Sequence, residues 1–418
     1  MSQLLQTLKG FRDIFPQEKR QRNYVLTKIV EVLKLFAFEP METPTLEYAD
    51  LLLRKCGDEA SKLIYTFTDQ GGRRLGLRYD QTVPTARILA QYRNNLPKFF
   101  RRYQTQNVFR AEKPQKGRFR EFTQCDFDIF GAADNLADAE ILACIFQAYT
   151  NIGFQDIKIL VNDRELLFKT LQPFASPEVK VASIIQTLDK MSKISTQKVV
   201  AELVNKGLTQ ETAQKILEVV TSLQPNEKLQ DIINLAAKLG VNKDSLNFSP
   251  TLARGLDYYT GMISEVSVPA YTAGSLGGGG RYDNLIEDLG GIKMSAVGFA
   301  FGFDRTVEAA IALNLIPEFQ NSSQVLVAIF SQETLTDSLV TANKLRQAGI
   351  SVELYPTLDK LGKQLKLANQ KNIPWVIMIG EEEQQKSQVA LKNMNSGEQQ
   401  QLSIEQAIKL LIKSQKNE

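Results

Sequence analysis

Apolar residues recur at helical spacing over 18–36, where Val25, Ile29, Val32, Leu33 and Phe36 share one stripe, and the turn-rich Lys9-Gly-Phe-Arg-Asp-Ile-Phe-Pro16 leads into it. An amphipathic helix is predicted there. From 38 to 128 the pattern changes to short alternating or apolar runs broken by Gly and Pro, at 62–68, 74–79, 103–109 and 119–129, which predicts a mostly antiparallel sheet. Between about 168 and 247 the three- and four-residue period returns through Ile184, Val199, Leu217, Ile232 and Leu239, with Ser176-Pro-Glu and Thr196-Gln as helix starts. This reads as a helical insertion. Glycine-rich, strand-like sequence resumes over 252–302, a helix follows over 304–313, and the polar stretch 317–323 reads as a linker. Beyond it come strand 325–330, helix 334–348, strand 352–355, helix 361–370, strand 375–379, a hairpin-like pair and a last helix to 412, the alternation of a small α/β domain.

At 418 residues the chain is long enough for two to four domains with sizeable cores. Lys and Arg number 50 against 47 acids, a net charge of +3, so a nucleic-acid partner must be met by local patches. Residues 324–418 are near charge balance and give no sign of a phosphate-binding field. Cys56, Cys125 and Cys144 are odd in number and lack CxxC spacing, which predicts reduced thiols and no zinc site. Neither a long apolar run nor a signal-peptide start is present, so a soluble, cytoplasmic protein without membrane contact is expected. The chain contains no histidine at all. Every mechanism that needs a protein imidazole is thereby excluded, leaving carboxylates, Arg, Lys, Tyr, backbone amides and the ligand's own groups.

Chemistry concentrates in 98–120, where Lys98, Arg101, Arg102, Arg110, Lys113, Lys116, Arg118 and Arg120 face Glu112 as the single acid. Lys113-Pro-Gln-Lys-Gly117 suits a reversal between two strands, and the two-residue period of the second strand sets Phe122, Gln124, Asp126 and Asp128 on one face. An aromatic, arginines and carboxylates there suit a nucleotide; taken alone, the run is more simply a solvated hairpin on a sheet edge. Arg305 opens the 304–313 helix against its dipole, a placement that fits a bound anion or a surface pair with Asp304 or Glu308. Gly277-Gly-Gly-Gly280-Arg281-Tyr-Asp283 matches neither a P-loop nor a dinucleotide fingerprint, and a lone glycine run is most simply a loop. Arg254-Gly-Leu-Asp-Tyr-Tyr-Thr-Gly261 reads alone as a tyrosine-rich core corner, and Asp80 with Thr82 as a helix cap ahead of Pro84.

Together these segments resemble, in order and spacing, the histidyl-tRNA synthetase family of class II aminoacyl-tRNA synthetases, over essentially the whole chain. Gly10-Phe-Arg-Asp-Ile-Phe-Pro16 resembles the family's opening, Thr43-Pro44-Thr-Leu-Glu47 its motif 1, Phe109-Arg110-Ala-Glu112 with Gly117-Arg118-Phe-Arg-Glu-Phe122 its motif 2, and Gly302-Phe-Asp-Arg305 its motif 3. Arg254-Gly-Leu-Asp-Tyr-Tyr259 and Gly279-Gly-Arg-Tyr-Asp283 resemble its two histidine-specific segments. Thr123 and Asp304 depart from the pattern, which often has His or Tyr at the first and Glu at the second.

The resemblance implies an α+β catalytic domain on an antiparallel sheet of class II synthetase type (1–167 and 250–322), a helical insertion (168–249) near the tRNA acceptor arm, and a C-terminal α/β anticodon-binding domain (324–418). It implies a homodimer with Pro44 at the interface, and L-histidine, ATP with Mg²⁺, and histidine tRNA as ligands. Arg110 and Arg305 would hold the α- and γ-phosphates, Arg118 the β/γ end, and Glu112 with stacked Phe122 the adenine. Asp80, Thr82 and Gln124 would hold the α-amino group, Asp128 and Tyr259 would face the imidazole with Tyr258 alongside, and Gln115 would meet the acceptor end. Arg254 would act with Arg110 as a catalytic group between substrate carboxylate and α-phosphate. A related alternative is a non-catalytic regulatory subunit of an ATP phosphoribosyltransferase, which shares the catalytic domain but typically lacks the C-terminal domain and several phosphate arginines.

Overall fold

In the computed structural model, residues 5–54, 63–113, 119–192, 194–254, 258–318 and 323–416 are described. The chain divides into two units, Met1–Pro317 and Glu318–Glu418.

The first unit is organised by an eight-stranded sheet in the order β1 (Glu39–Pro40), β5 (Phe100–Phe109), β6 (Glu121–Phe130), β11 (Ala296–Phe301), β10 (Gly277–Arg281), β9 (Met262–Ser267), β7 (Lys158–Asp163) and β8 (Leu246–Phe248). Pairing is antiparallel except at the two ends, where β1 with β5 and β7 with β8 run parallel. A separate small sheet holds β2 (Leu46–Tyr48), β4 (Arg74–Leu77) and β3 (Thr66–Thr68).

The large sheet has two unlike faces because its strands alternate. On one face Cys125, Phe127, Ile129, Phe299 and Phe301 join a core with the helices Pro16–Leu35, Asn135–Ile152, Glu227–Lys238 and Phe303–Ala312. The apolar stripe of the first helix delivers Val25, Ile29, Val32 and Leu33 to that core. Asp134 caps the second through the Leu136 N–H, and Gly153 at φ 115° ends it. The other face carries the polar residues of β5 and β6 and is bordered by the helices Thr82–Tyr92 and Leu285–Gly290.

Helices Arg164–Leu171, Val181–Leu188, Thr196–Asn205 and Gln210–Thr221 enclose a core of their own around Leu167, Ile184, Val199, Leu203 and Ile216. The next helix does not join it: Leu229, Ile232 and Ala236 of Glu227–Lys238 pack into the sheet core instead.

The second unit is a five-stranded sheet, β13 (Val352–Leu354), β12 (Val325–Val327), β14 (Trp375–Met378), β15 (Val389–Asn393) and β16 (Gln399–Leu402), parallel over the first three and antiparallel thereafter. The run expected over 325–330 pairs as a strand only to Val327. At buried Ile329 the Gln364 side chain takes over, accepting from its N–H at 2.9 Å and donating to its carbonyl at 2.7 Å. No helix among the described residues is long and apolar enough to cross a membrane.

Candidate active site

The hairpin β5–β6 builds the floor of the site. Its register places Arg102 opposite Asp128, Gln104 opposite Asp126 and Gln106 opposite Gln124, and the next strand places Gly298 beside Asp128 and Ala300 beside Asp126. Arg102 and Asp128 form a buried ion pair at 2.6 Å, and the Tyr282 hydroxyl donates to the other Asp128 oxygen. Burial raises the Asp128 pKa, with Arg102 and the Tyr282 hydrogen bond opposing. Asp126 is held otherwise: Gln124 Nε2 reaches its Oδ2 at 3.4 Å, and its buried Oδ1 has no partner. Burial, reinforced by Asp128 and Asp80 and opposed by Arg102, pushes its carboxyl up to about 8. Gln124 Oε1 is likewise buried and unpartnered. Unpaired acceptors of this kind are scarce in native interiors.

Asp80 approaches from the loop before the Thr82–Tyr92 helix. Its Oδ1 accepts the Val83 N–H at 3.1 Å, so it caps that helix, and the Thr82 N–H also stabilises its ionised form. Burial nevertheless pushes it up to about 6. Gln81 locks the loop to the floor by donating to the Gln106 and Gln124 carbonyls, each at 3.1 Å. Arg110, at the end of β5, donates from Nε to the Tyr79 carbonyl at 3.0 Å and lies over the Phe122 ring, 5.0 Å from its centroid. Arg120 Nε donates to the Glu112 carbonyl at 3.0 Å, which ties the start of the turn to its return strand. Gln115 and Arg118 lie outside the described residues.

The glycine run is the central strand β10 rather than a loop. A side chain on it would collide with its surroundings: a Cβ on Gly278 would fall 1.8 Å from Arg254 Nη1, one on Gly280 3.0 Å from the Tyr259 ring, and one on Gly298 of β11 1.8 Å from Asp128 Oδ1. The site face is hollowed by missing side chains, and charged groups from elsewhere in the chain fill that space. Arg254 occupies it with a backbone φ of 53°, a left-handed conformation that costs a non-glycine residue about 1 kcal/mol. Arg164 steadies the bend by donating to the Ala253 carbonyl at 2.9 Å and the Arg254 carbonyl at 3.3 Å. Glu265 on β9 holds the Arg254 guanidinium at 3.1 Å.

Tyr258 and Tyr259 follow, their rings 4.8 Å apart, and Tyr258 meets Tyr282 edge-on at 5.8 Å. Burial holds the Tyr258 and Tyr282 hydroxyls well above their usual range, so both remain protonated donors. Arg281 turns away from the site into a buried pair with Asp138, and Asp283 also contacts it at 3.2 Å.

Arg305 begins the Phe303–Ala312 helix and donates to the Ser275 carbonyl at 2.8 Å, just ahead of β10. Neither surface partner considered for it takes that place: Asp304 pairs with Arg12 and Arg22, and Glu308 accepts from Tyr271 at 3.3 Å. Asp304 also accepts the Thr123 N–H at 3.1 Å, while Arg22 Nη2 donates to Thr123 Oγ1 at 3.0 Å. The two positions that depart from the family pattern therefore meet, in a clamp that fastens the start of β6 to the start of the Arg305 helix. Arg12 stacks at 3.8 Å over the Phe119 ring at its edge. A cavity of about 410 Å³ lies outside this clamp, lined in part by Phe15, Gln21, Val307 and Ile311.

Sequence reasoning singled out Asp128 but not its partners Arg102 and Tyr282, and Arg254 but not Glu265. Asp126 was placed on the right face without a role. The register signal for Arg102 was available: a hairpin turning about residue 115 sets 102 against 128.

The family model for histidyl-tRNA synthetase matches residues 10–306, and that for the anticodon binding domain matches 324–414. The chain is 39% identical to the histidine–tRNA ligase of Wolinella succinogenes over 97% of its length and 98% of that protein, and 35% identical to that of Bacteroides fragilis over the same shares. Its structure is similar to the crystal structure of histidyl-tRNA synthetase from Nostoc sp. PCC 7120, with a TM-score of 0.82 at 29% identity, covering 98% of this chain and 99% of that one. It also shares its fold with an ATP phosphoribosyltransferase regulatory subunit/histidyl-tRNA synthetase from Bacillus halodurans, with a TM-score of 0.72 at 21% identity over 88% of this chain and 96% of that one.

Proposed function

Because the chain belongs to the histidyl-tRNA synthetase family, and so activates histidine with ATP and transfers it to histidine tRNA, we propose that the face formed by β6, β10 and β11 is where both steps occur. The observation that carries this reading is the gathering of Asp80, Gln124, Asp126 and Asp128 on one face with Arg110 and Arg254 bordering it. The ATP phosphoribosyltransferase reading draws less support. Arg110, Arg305 and an anticodon-binding match over 324–414 are all present, and the curated relatives are histidine–tRNA ligases.

In this reading Asp80, Thr82 and Gln124 hold the α-amino group, since a hydroxyl, an amide carbonyl and a partly buried carboxylate suit an ammonium. Asp128, Tyr258 and Tyr259 bound the imidazole end. Phe122 supports the adenine beside Glu112, Arg110 and Arg305 take the α- and γ-phosphates, Arg118 takes the β/γ end, and Gln115 meets the tRNA acceptor end.

The substrate carboxylate is already an anion at neutral pH and can attack the α-phosphorus without a base. The protein's work is alignment and charge stabilisation, and Arg254, held by Glu265 and Arg164, is set for it. In the second step the ribose hydroxyl of tRNA attacks the acyl-adenylate, and its proton can leave through a phosphate oxygen. No imidazole is required in either step.

Mg²⁺ fits as an ion brought in on ATP: it keeps water and phosphate ligands and takes one or two carboxylates from a protein, and Glu265, 3.1 Å from the Arg254 guanidinium, would supply one. Bound there it would neutralise phosphate charge. Exposed Leu46, Tyr48 and Phe67 beside Pro44 support a homodimer contact on the small sheet. Reduced, buried Cys125 and Cys144 and a tRNA substrate support a cytoplasmic setting. Domain limits of 1–167 with 250–322, 168–249 and 324–418 remain the functional division proposed for catalysis, acceptor-arm contact and anticodon binding.

ATP–pyrophosphate exchange assayed with each of the twenty amino acids tests the reading. Exchange on histidine alone is expected. Equal exchange on another amino acid would overturn the substrate, and none at all would overturn the activity.

A further inference from the structure

We propose that Asp304, gripped by Arg12 and Arg22, is a positioning residue for ATP: it sets the spacing between Phe122 and Arg305, and so acts on the nucleotide rather than on histidine. The proposal rests on the reading that puts adenine at Phe122 and the γ-phosphate at Arg305, and it has three supports.

The first is where the sheet stops. β11 pairs with β6 as far as Phe301 opposite Cys125 and then turns into the helix Phe303–Ala312. Two more residues of strand would have brought backbone beside Thr123. The chain has left the sheet by then, and the Thr123 N–H donates instead to Asp304 Oδ2 at 3.1 Å. A carboxylate on the helix therefore supplies the last rung of the ladder. Backbone rungs have one spacing, whereas a side-chain rung takes the length of its side chain.

The second is how firmly that rung is held. Arg12 and Arg22 both reach Asp304 Oδ1, so each of its oxygens is engaged. Arg22 Nη2 also donates to Thr123 Oγ1 at 3.0 Å, and that hydroxyl donates to Asn107 Oδ1 at 2.9 Å. Glu18, 3.8 Å from Arg12, completes the charge balance. Arg22 is buried, 5.0 Å from the Phe303 ring centroid, and Arg12 lies over Phe119. Charges paired in this way away from solvent favour one geometry.

The third is what lies on either side. Strand alternation turns Phe122 to the face opposite Thr123, where Arg110 covers it, and Arg305 follows Asp304 along the chain. The two ends of the proposed ATP site are thus the sequence neighbours of the two ends of one hydrogen bond. Asp80 and Thr82 come from a different loop, which Gln81 fastens to the Gln106 and Gln124 carbonyls, and the clamp does not touch it.

The test measures pyrophosphate exchange, equilibrium dialysis of ATP and thermal melts on the full-length chain, Asp304→Glu and Arg22→Met. Asp304→Glu keeps the charge and the arginine pairs but lengthens the rung by one methylene, about 1.5 Å. It is expected to keep the melting temperature, to raise KM and Kd for ATP at least about fivefold, and to leave KM for histidine within about twofold. Arg22→Met, which releases the carboxylate from one side, is expected to weaken ATP in the same selective way. An Asp304→Glu enzyme with ordinary ATP constants would overturn the proposal, as would one whose ATP and histidine constants rise together. Asp304→Glu decides alone if Arg22→Met does not fold. Absence of wild-type exchange on histidine would be a different failure, that of the functional reading, and dialysis of ATP, which needs no turnover, would still decide the role of the clamp.

Discussion

Arg254 combines a strained backbone, a fixed guanidinium and an empty neighbour. Its left-handed φ, the Arg164 hydrogen bonds to its carbonyl and to that of Ala253, and the Glu265 contact are arranged around one side chain. Replacing it with Ala should lower pyrophosphate exchange by about 10²–10³-fold, the usual loss on removing one donor aimed at developing charge, with little change in melting temperature. Lys should restore little, because an ammonium cannot reproduce the planar fork. Steady-state exchange with parallel thermal melts checks both, and an active Arg254→Ala enzyme of normal stability would remove Arg254 from the chemistry. At this scale the sequence was readable wherever a residue sat inside a motif. Asp80, Arg110, Gln124 and Arg254 were named that way. Glu265 was not, because it lies in an ordinary strand and acquires its role only by facing Gly278 across the ladder. Arg102 was hidden in a run of cations that strand parity divides: Arg101 pairs with Glu140 on one side of the sheet, and Arg102 with Asp128 on the other.

The hairpin, the helices and the C-terminal alternation were legible as elements because each carries its own period. The glycine run was misread because glycine has no period to show. What makes it a strand is nonlocal: ladders to β9 and β11 supply its hydrogen bonds, and Arg254, Tyr259 and Phe299 fill the volume its side chains would take. Gly278→Ala should therefore behave as a distant copy of an Arg254 substitution. The added methyl displaces the guanidinium, and exchange should fall by at least about tenfold while histidine still binds, measured by exchange against equilibrium dialysis. Loss of histidine binding as well would mean that the strand itself had been disrupted. The Asp304 clamp is a similar case. No periodicity brings Thr123 to Asp304, 181 residues away, and only the meeting of β6 with the helix start does so.

The polar stretch 317–323, which has no apolar period, put a boundary near 323, and the two units divide at its start, after Pro317, each with hydrophobic clusters drawn from its own residues. The faces were less so: the helix Glu227–Lys238 has the composition of its neighbours but buries Leu229 and Ile232 against Asn135–Ile152, a choice that amphipathicity alone leaves open. The carboxylate cluster on the sheet has a spectroscopic consequence. The chain has no histidine, so the ring of the bound substrate is the single imidazole in the complex, and its C2 proton can be followed by NMR with no other imidazole signal to confuse it. Burial pushes Asp80 up to about 6 and Asp126 up to about 8, and an imidazole within reach of this cluster titrates jointly with it. Ionised carboxylates favour imidazolium, so the bound resonance should shift at a pH above the free ring's value of about 6.5. A midpoint at or below that value would place the ring beyond the cluster's reach, and the enzyme's missing residue would have served as its own blank.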